Sequence, residues 1–276
     1  MNAILTVAGK EFRDGLRNRW VLAIALVLGL LAVGIAYFGA AASGAVGFTS
    51  LSTTIVSLAS LAVFLIPLIA LMLAYDAVIG EQEQGTLLLL LTYPLSRTSL
   101  LLGKFLGHGL ILATATVTGF GVAGLVIGIG AEDIVLGELV RSLGLFILSA
   151  VLLGWVFVAL AYLVSVLVSE KSRAAGLALV LWFLFVLVFD LVLLALLVGA
   201  GERIGREGLT YLLLLNPTEC FRLLNLTGFP AAQTAAGVTS VAADGALRPA
   251  ALLTSLLAWI AVPLALAVWR FRNRHA

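Results

Sequence analysis

The sequence predicts an all-α integral membrane protein of six transmembrane helices, preceded by an amphipathic helix lying at the membrane surface. Three observations predict it. After Arg19 the chain continues for 56 residues without a charged side chain, and four more apolar stretches of similar character follow. Of 276 residues, 62% are hydrophobic and 11% charged, and the mean hydropathy is +1.19, far from the values of a water-soluble domain. The apolar runs are uniform, as in helices that satisfy their own backbone in hydrocarbon.

The first element is residues 1–19. Ile4, Ala8, Phe12, Leu16 and Trp20 recur at every fourth position, while Lys10, Arg13, Asp14 and Arg17 take the opposite face. That pattern predicts an interfacial helix leading into the first span. A cleaved signal peptide is the competing reading, and it is disfavoured: the run from Trp20 to Phe38 is 19 residues, long enough to span, and Glu11 and Asp14 interrupt its basic flank.

The transmembrane domain occupies residues 20–276, with spans predicted at 20–38, 56–75, 105–129, 142–168, 174–200 and 250–269. On this plan eleven of the sixteen Lys and Arg residues share one side with both termini: Lys10, Arg13, Arg17, Arg19, Arg97, Lys104, Lys171, Arg173, Arg270, Arg272 and Arg274. The positive-inside rule makes that side cytoplasmic, in a bacterial inner membrane. The connection around Ser43 to Thr54 reads as a short external turn. Residues 76–104 form a polar cytoplasmic segment longer than a turn requires, and Ser169 to Arg173 is a tight corner on the same side. Residues 201–249 form an external region whose short apolar stretch, Tyr211 to Leu215, cannot span. It is expected to be re-entrant, interfacial or docked on a partner.

These features exclude several functions. No segment outside the spans is large enough for a catalytic core, so the chain is expected to be non-catalytic. The charge distribution implies no nucleic-acid partner. Cys220 is the only cysteine and forms no internal disulfide. Lys10 and Lys104 each follow a glycine, but the remainder of a phosphate-binding loop is missing around both, so ATP and magnesium are not bound by this chain. No metal site is expected, because His108, His275, Cys220, Met1 and Met72 are scattered without ligand spacing. A secondary transporter is the alternative to an ATP-driven one, but Pro67 and Pro263 are not at matched positions in the two halves. An intramembrane protease using Ser43 and His108 fails because the two fall on opposite sides.

One charge lies within a span. Asp190 is expensive at that depth, and either lines a translocation or gating path or sits near the external interface beside Arg203 or Arg206.

The segment I-G-E-Q-E-Q-G-T from Ile79, the continuation L-L-x-x-P-x-S-R to Arg97 and G-K-F at Gly103 to Phe105 resemble the permeases of the ABC-2 type, the membrane halves of ABC transporters. The N-terminal K-E-F-R-D and the six-helix plan extend the resemblance over the whole chain. The resemblance implies that Glu81, Gln82, Glu83, Gln84, Gly85 and Thr86 contact a separate ATPase subunit, that Pro94 and Arg97 return the chain to the bilayer, and that Lys171 and Arg173 form a second, smaller contact. It further implies a second copy of this chain and two ATPase chains carrying ATP and magnesium. The close details resemble permeases serving nitrous-oxide reductase maturation. These work with a NosF-like ATPase and a periplasmic beta-helical NosD-like protein in assembling a copper centre. On that resemblance Tyr211, Leu213, Phe221 and Arg222 are expected to contact the periplasmic partner, since aromatic and guanidinium side chains anchor interfaces.

Overall fold

The computed structural model describes residues 2–17, 19–39, 47, 50–92, 95–130, 135–226 and 248–273. Ser43, Tyr93 and Pro94 lie outside them, as does most of the predicted external region beyond Leu226. The side chains of Arg203 and Arg206 are likewise outside the description.

Eleven α-helices occur among the described residues, with no strand. They are α1 (Ala3–Arg17), α2 (Trp20–Phe38), α3 (Leu51–Ala74), α4 (Ile79–Glu83), α5 (Thr86–Thr92), α6 (Arg97–Gly130), α7 (Leu136–Leu167), α8 (Lys171–Phe183), α9 (Phe189–Leu214), α10 (Pro217–Leu226) and α11 (Pro249–Arg272). One π-helical stretch, Leu184–Val188, joins α8 to α9. Six segments are long and apolar enough to cross a membrane, as the sequence predicts.

Three spans begin five or more residues earlier than hydropathy indicates; α7 starts at Leu136 rather than 142 with no side-chain cap, and serine caps explain the other two. The Ser50 hydroxyl accepts the Thr53 amide at 3.4 Å, so α3 starts at Leu51 rather than 56. The Ser96 hydroxyl accepts the Ser99 amide at 3.0 Å, so α6 starts at Arg97 rather than 105. With 34 residues α6 is about 51 Å long and projects beyond a hydrocarbon core of about 30 Å. The amphipathic helix α1 docks along this projecting part.

The docking is a close backbone approach. A Cβ on Gly103 would meet the Val7 Cβ at 2.6 Å and the Ile4 carbonyl at 2.9 Å, and one on Gly119 would meet the Ala25 carbonyl at 2.8 Å, where α2 crosses. Side chains at these positions would push α1 and α2 off α6. Gly103→Leu is therefore expected to expose Val7 and Ala8 and to make α1 sensitive to limited proteolysis, whereas Gly9→Leu, with open space around its Cβ, leaves α1 docked.

At the centre, Phe120 and Phe146 pack edge to face with centroids 4.8 Å apart and Phe221 lies 6.1 Å from Phe146, while further along α7 Phe157 and Tyr162 are also fully buried. Pro67 lacks the N–H that would meet the Val63 carbonyl. One residue on, the Phe64 carbonyl accepts the Trp182 indole N–H at 2.9 Å, tying α8 to α3.

The fifth span, Lys171–Gly199, lies close to the predicted 174–200, but the helix does not stop there. Helical geometry continues to Leu214 instead of ending near residue 200. Yet the Asn216 side-chain amide donates to the Phe185 carbonyl at 2.8 Å, although a straight helix would separate those residues by about 46 Å. The chain therefore reverses between them. The π-helical widening leaves the Phe185 carbonyl available, and the Thr218 hydroxyl donates to it as well, at 3.2 Å. Helix α10 is thus carried back into the bundle against α3, α7 and α11. Tyr211 to Leu215, the apolar stretch of this region, thus forms the end of α9 just before that return.

Candidate functional site

The basic end of the bundle concentrates the polar chemistry. Gly85, with φ of +71°, separates α4 from α5 in a left-handed turn that side chains disfavour. Helix α4 is held from within: the Val78 and Ile79 amides both donate to the buried Ser165 hydroxyl of α7, each at 3.1 Å. That one oxygen satisfies the N-cap and first helical amides, and the next, Gly80, donates to the Asp76 carbonyl at 2.8 Å.

Around this knuckle two lysines join four elements. Lys104, 5% exposed, places its ammonium 2.8 Å from Glu81 of α4 and 3.1 Å from Glu11 of α1. Two carboxylates compensate one buried cation, and the geometry links the knuckle to both α6 and α1. Burial alone would raise the Glu11 carboxyl, but Lys104 and Lys10 outweigh it and hold it below the ordinary value. Lys171 pairs with Asp76 at 2.6 Å, while its backbone amide donates to a Glu83 oxygen at 2.6 Å. Glu83 therefore caps the N-terminus of α8, where the helix dipole favours an anion.

Several of the side chains expected at the ATPase contact also make contacts within the chain, while Glu83 and Arg173 stay exposed. Glu81 turns inward to Lys104 and Glu83 lies across the start of α8. The Thr86 hydroxyl donates to the Glu81 carbonyl at 3.2 Å. Arg97 donates to the Phe271 carbonyl at 3.3 Å and lies over that ring, fastening α6 to the end of α11. Lys171 faces Asp76, and Arg173 pairs locally with Glu170 at 3.2 Å.

Gln82 and Gln84 remain outward beside exposed Gly85. With them stand Leu88 and Leu89, 64% and 65% exposed on α5. These leucines are not among the contact residues that the family resemblance implies. Their signal was a Leu run of only five residues directly after a polar turn, too short to span.

At the opposite end lies a second charged cluster. Arg222 lies 2.5 Å from Glu219 and 3.4 Å from Asp190. Glu219 is 0% exposed, and its other oxygen has no hydrogen-bond partner. Asp190 is thus tied to α10 by Arg222. Leu213, near the end of α9, and Phe221, on α10, are both fully buried. Of the side chains expected at the periplasmic contact, only Tyr211 is strongly exposed, at 69%.

Among the described residues no group of three or more His, Cys, Asp or Glu side chains is arranged to hold a metal. His108 shares a 2.6 Å hydrogen bond with the Tyr162 hydroxyl, and the buried Cys220 thiol lies 3.4 Å from the Ser255 hydroxyl.

The family described as ABC-2 family transporter protein matches residues 5–276. The chain is 60% identical over 274 residues to the probable ABC transporter permease protein NosY of Stutzerimonas stutzeri, covering 99% of each chain. It is 57% identical over 274 residues, again 99% of each, to the protein of the same description from Pseudomonas aeruginosa. With a six-span bundle, an amphipathic lead-in helix and a polar knuckle after the second span, the chain belongs to the ABC-2 family of transporter permeases.

Proposed function

We propose that this permease is the inner-membrane subunit of an ATP-driven system for nitrous-oxide reductase maturation, with both termini cytoplasmic, and that the α4–α5 knuckle receives the push of a NosF-like ATPase. The observation carrying the mechanical reading is the pair of lysine junctions: Lys104 connects Glu81 to Glu11, and Lys171 connects Asp76 and Glu83 to α8. Movement of the knuckle then reaches α1, α6 and α8 together, without a flexible joint between them. The extensive identity to two NosY permeases supports the maturation role. ATP and magnesium are bound by the ATPase chain, and a second copy of this permease completes the membrane unit.

The contact itself is assigned to Gln82, Gln84, Leu88 and Leu89, exposed apolar side chains beside amides that hydrogen-bond a partner's backbone. On the periplasmic side Tyr211 remains available to a NosD-like protein, while Asp190 and Arg222 secure the re-entrant helix and so govern opening of that end. Copper-centre assembly then follows from a cargo or a movement delivered to the periplasmic partner.

Leu88→Asp combined with Leu89→Asp is expected to weaken capture of the ATPase chain at least thirtyfold, from about 2 kcal/mol lost at an apolar anchor. Pull-down of the complex from membranes measures this. The same variant, supplied to cells lacking the permease, is expected to yield nitrous-oxide reductase without its full copper complement. Normal reductase with normal ATPase capture overturns the assignment of the contact. Normal reductase in cells lacking the permease altogether overturns the maturation role.

A further inference from the structure

A continuous groove runs along the outer face formed by α2 and α6. Its apolar part has a volume of about 790 Å³ and extends from Leu16 and Val21 past Leu26 and Thr118 to Gly34 and Val126. From Val21 to Gly34 it follows 13 residues of helix, about 20 Å, comparable with the depth of one leaflet in a hydrocarbon core of about 30 Å. The wall presents little unmet polarity, since the Thr118 hydroxyl donates back to the Thr114 carbonyl at 2.7 Å.

At the basic end this groove meets a second depression of about 560 Å³, lined by Lys10, Arg13, Asp14, Leu16 and Arg17. Leu16 lines both. Asp14 is the unfavourable group for an anion, but Lys10 pairs with it at 3.2 Å. Arg13 and Arg17 add two further positive charges at the mouth, both on exposed side chains.

We infer that this composite groove is a binding site for one anionic phospholipid of the leaflet at the basic end, its phosphate at Arg13 and Arg17 and one acyl chain between α2 and α6. Three features select this occupant: the depth matches a leaflet, the wall is apolar, and cationic side chains stand at headgroup level at one end only. A second copy of this chain is a poorer fit, because twofold packing on this face would bring its own Arg13 and Arg17 towards the same positive mouth. Basic pockets between helices at a membrane surface recognise anionic headgroups by this combination. A lipid seated there braces α1, and with it Glu11 and Lys104, against α2.

The test uses the full-length chain in its native assembly, extracted in mild detergent. Native mass spectrometry reads retained lipid, and exchange into nanodiscs of phosphatidylglycerol or phosphatidylcholine reads preference. One phosphatidylglycerol per chain is expected, preferred about thirtyfold, since each basic side chain near the surface contributes about fivefold. Gly34→Leu fills the groove without a clash, because a Cβ there meets nothing within 4 Å, and it is expected to abolish retention. Arg13→Gln with Arg17→Gln is expected to retain lipid while losing the preference. Equal retention of both lipids, unchanged retention in Gly34→Leu, or unchanged preference in the double arginine variant overturns the proposal. Crosslinking of Gly34→Cys to a second copy also overturns it, because the groove is then covered by protein.

Discussion

Replacing Arg222 with alanine is expected to lower the unfolding temperature by about 6–12 °C, the consequence of at least about 3 kcal/mol lost when one member of a buried ionic cluster is removed. The variant leaves Glu219, fully buried, and Asp190 without their shared cation. Most of the cost arises at Glu219, because Asp190 is partly exposed on the bundle face. The chain carries its own reporter: Cys220 is the only cysteine and is buried next to the cluster, so a thiol-reactive dye reads unfolding without an added label. Arg222→Lys is expected to recover only part of the loss, since a single ammonium does not reproduce the forked contact with both carboxylates. Combining Arg222→Gln with Glu219→Gln is expected to recover more, by removing the stranded charge. A Tm of Arg222→Ala equal to that of the wild type would show that the re-entrant helix is held by packing of Phe221 and Leu213 alone.

The second large effect is functional. Lys104→Met is expected to leave a membrane-inserted chain whose ATP-coupled activity falls at least tenfold. The substitution removes the cation between Glu81 and Glu11, and Glu81 already has one buried oxygen without a partner. The knuckle then loses its rigid link to α1 and α6 while the apolar spans, which do not depend on it, persist. Adding Glu11→Gln and Glu81→Gln restores neutrality and is expected to return stability without returning coupling, which separates transmission from folding. Dye melting and ATPase stimulation in the same preparation measure the two quantities.

The transmembrane plan was legible because hydropathy is a local property, and the amphipathic lead-in because its period is written into a dozen neighbouring residues. The knuckle was legible as a place. Its internal wiring was not, because Glu11 and Lys104 are 93 residues apart and meet only after α1 lies on Gly103. Lys104 counted as one more positive charge on one side of the membrane, with nothing local to mark it as buried. Arg222 and Phe221 were read by residue type as interface anchors. The reversal between Phe185 and Asn216, which brings α10 back to the π-helical turn and buries Phe221, is a long-range feature with no local mark in the sequence. The leucines of α5 fall within the segment expected to be cytoplasmic, but their exposure at 64% and 65% depends on how the short helix packs, which the sequence does not state.

The central claim is that the α4–α5 knuckle faces the cytoplasm and is covered there by the ATPase. Gln84→Cys in a Cys220→Ser background tests it through labelling with a membrane-impermeant maleimide. Labelling is expected only in inverted vesicles stripped of the ATPase chain, with protection when that chain is restored. Labelling in intact cells, or equal labelling with and without the ATPase, would contradict the account.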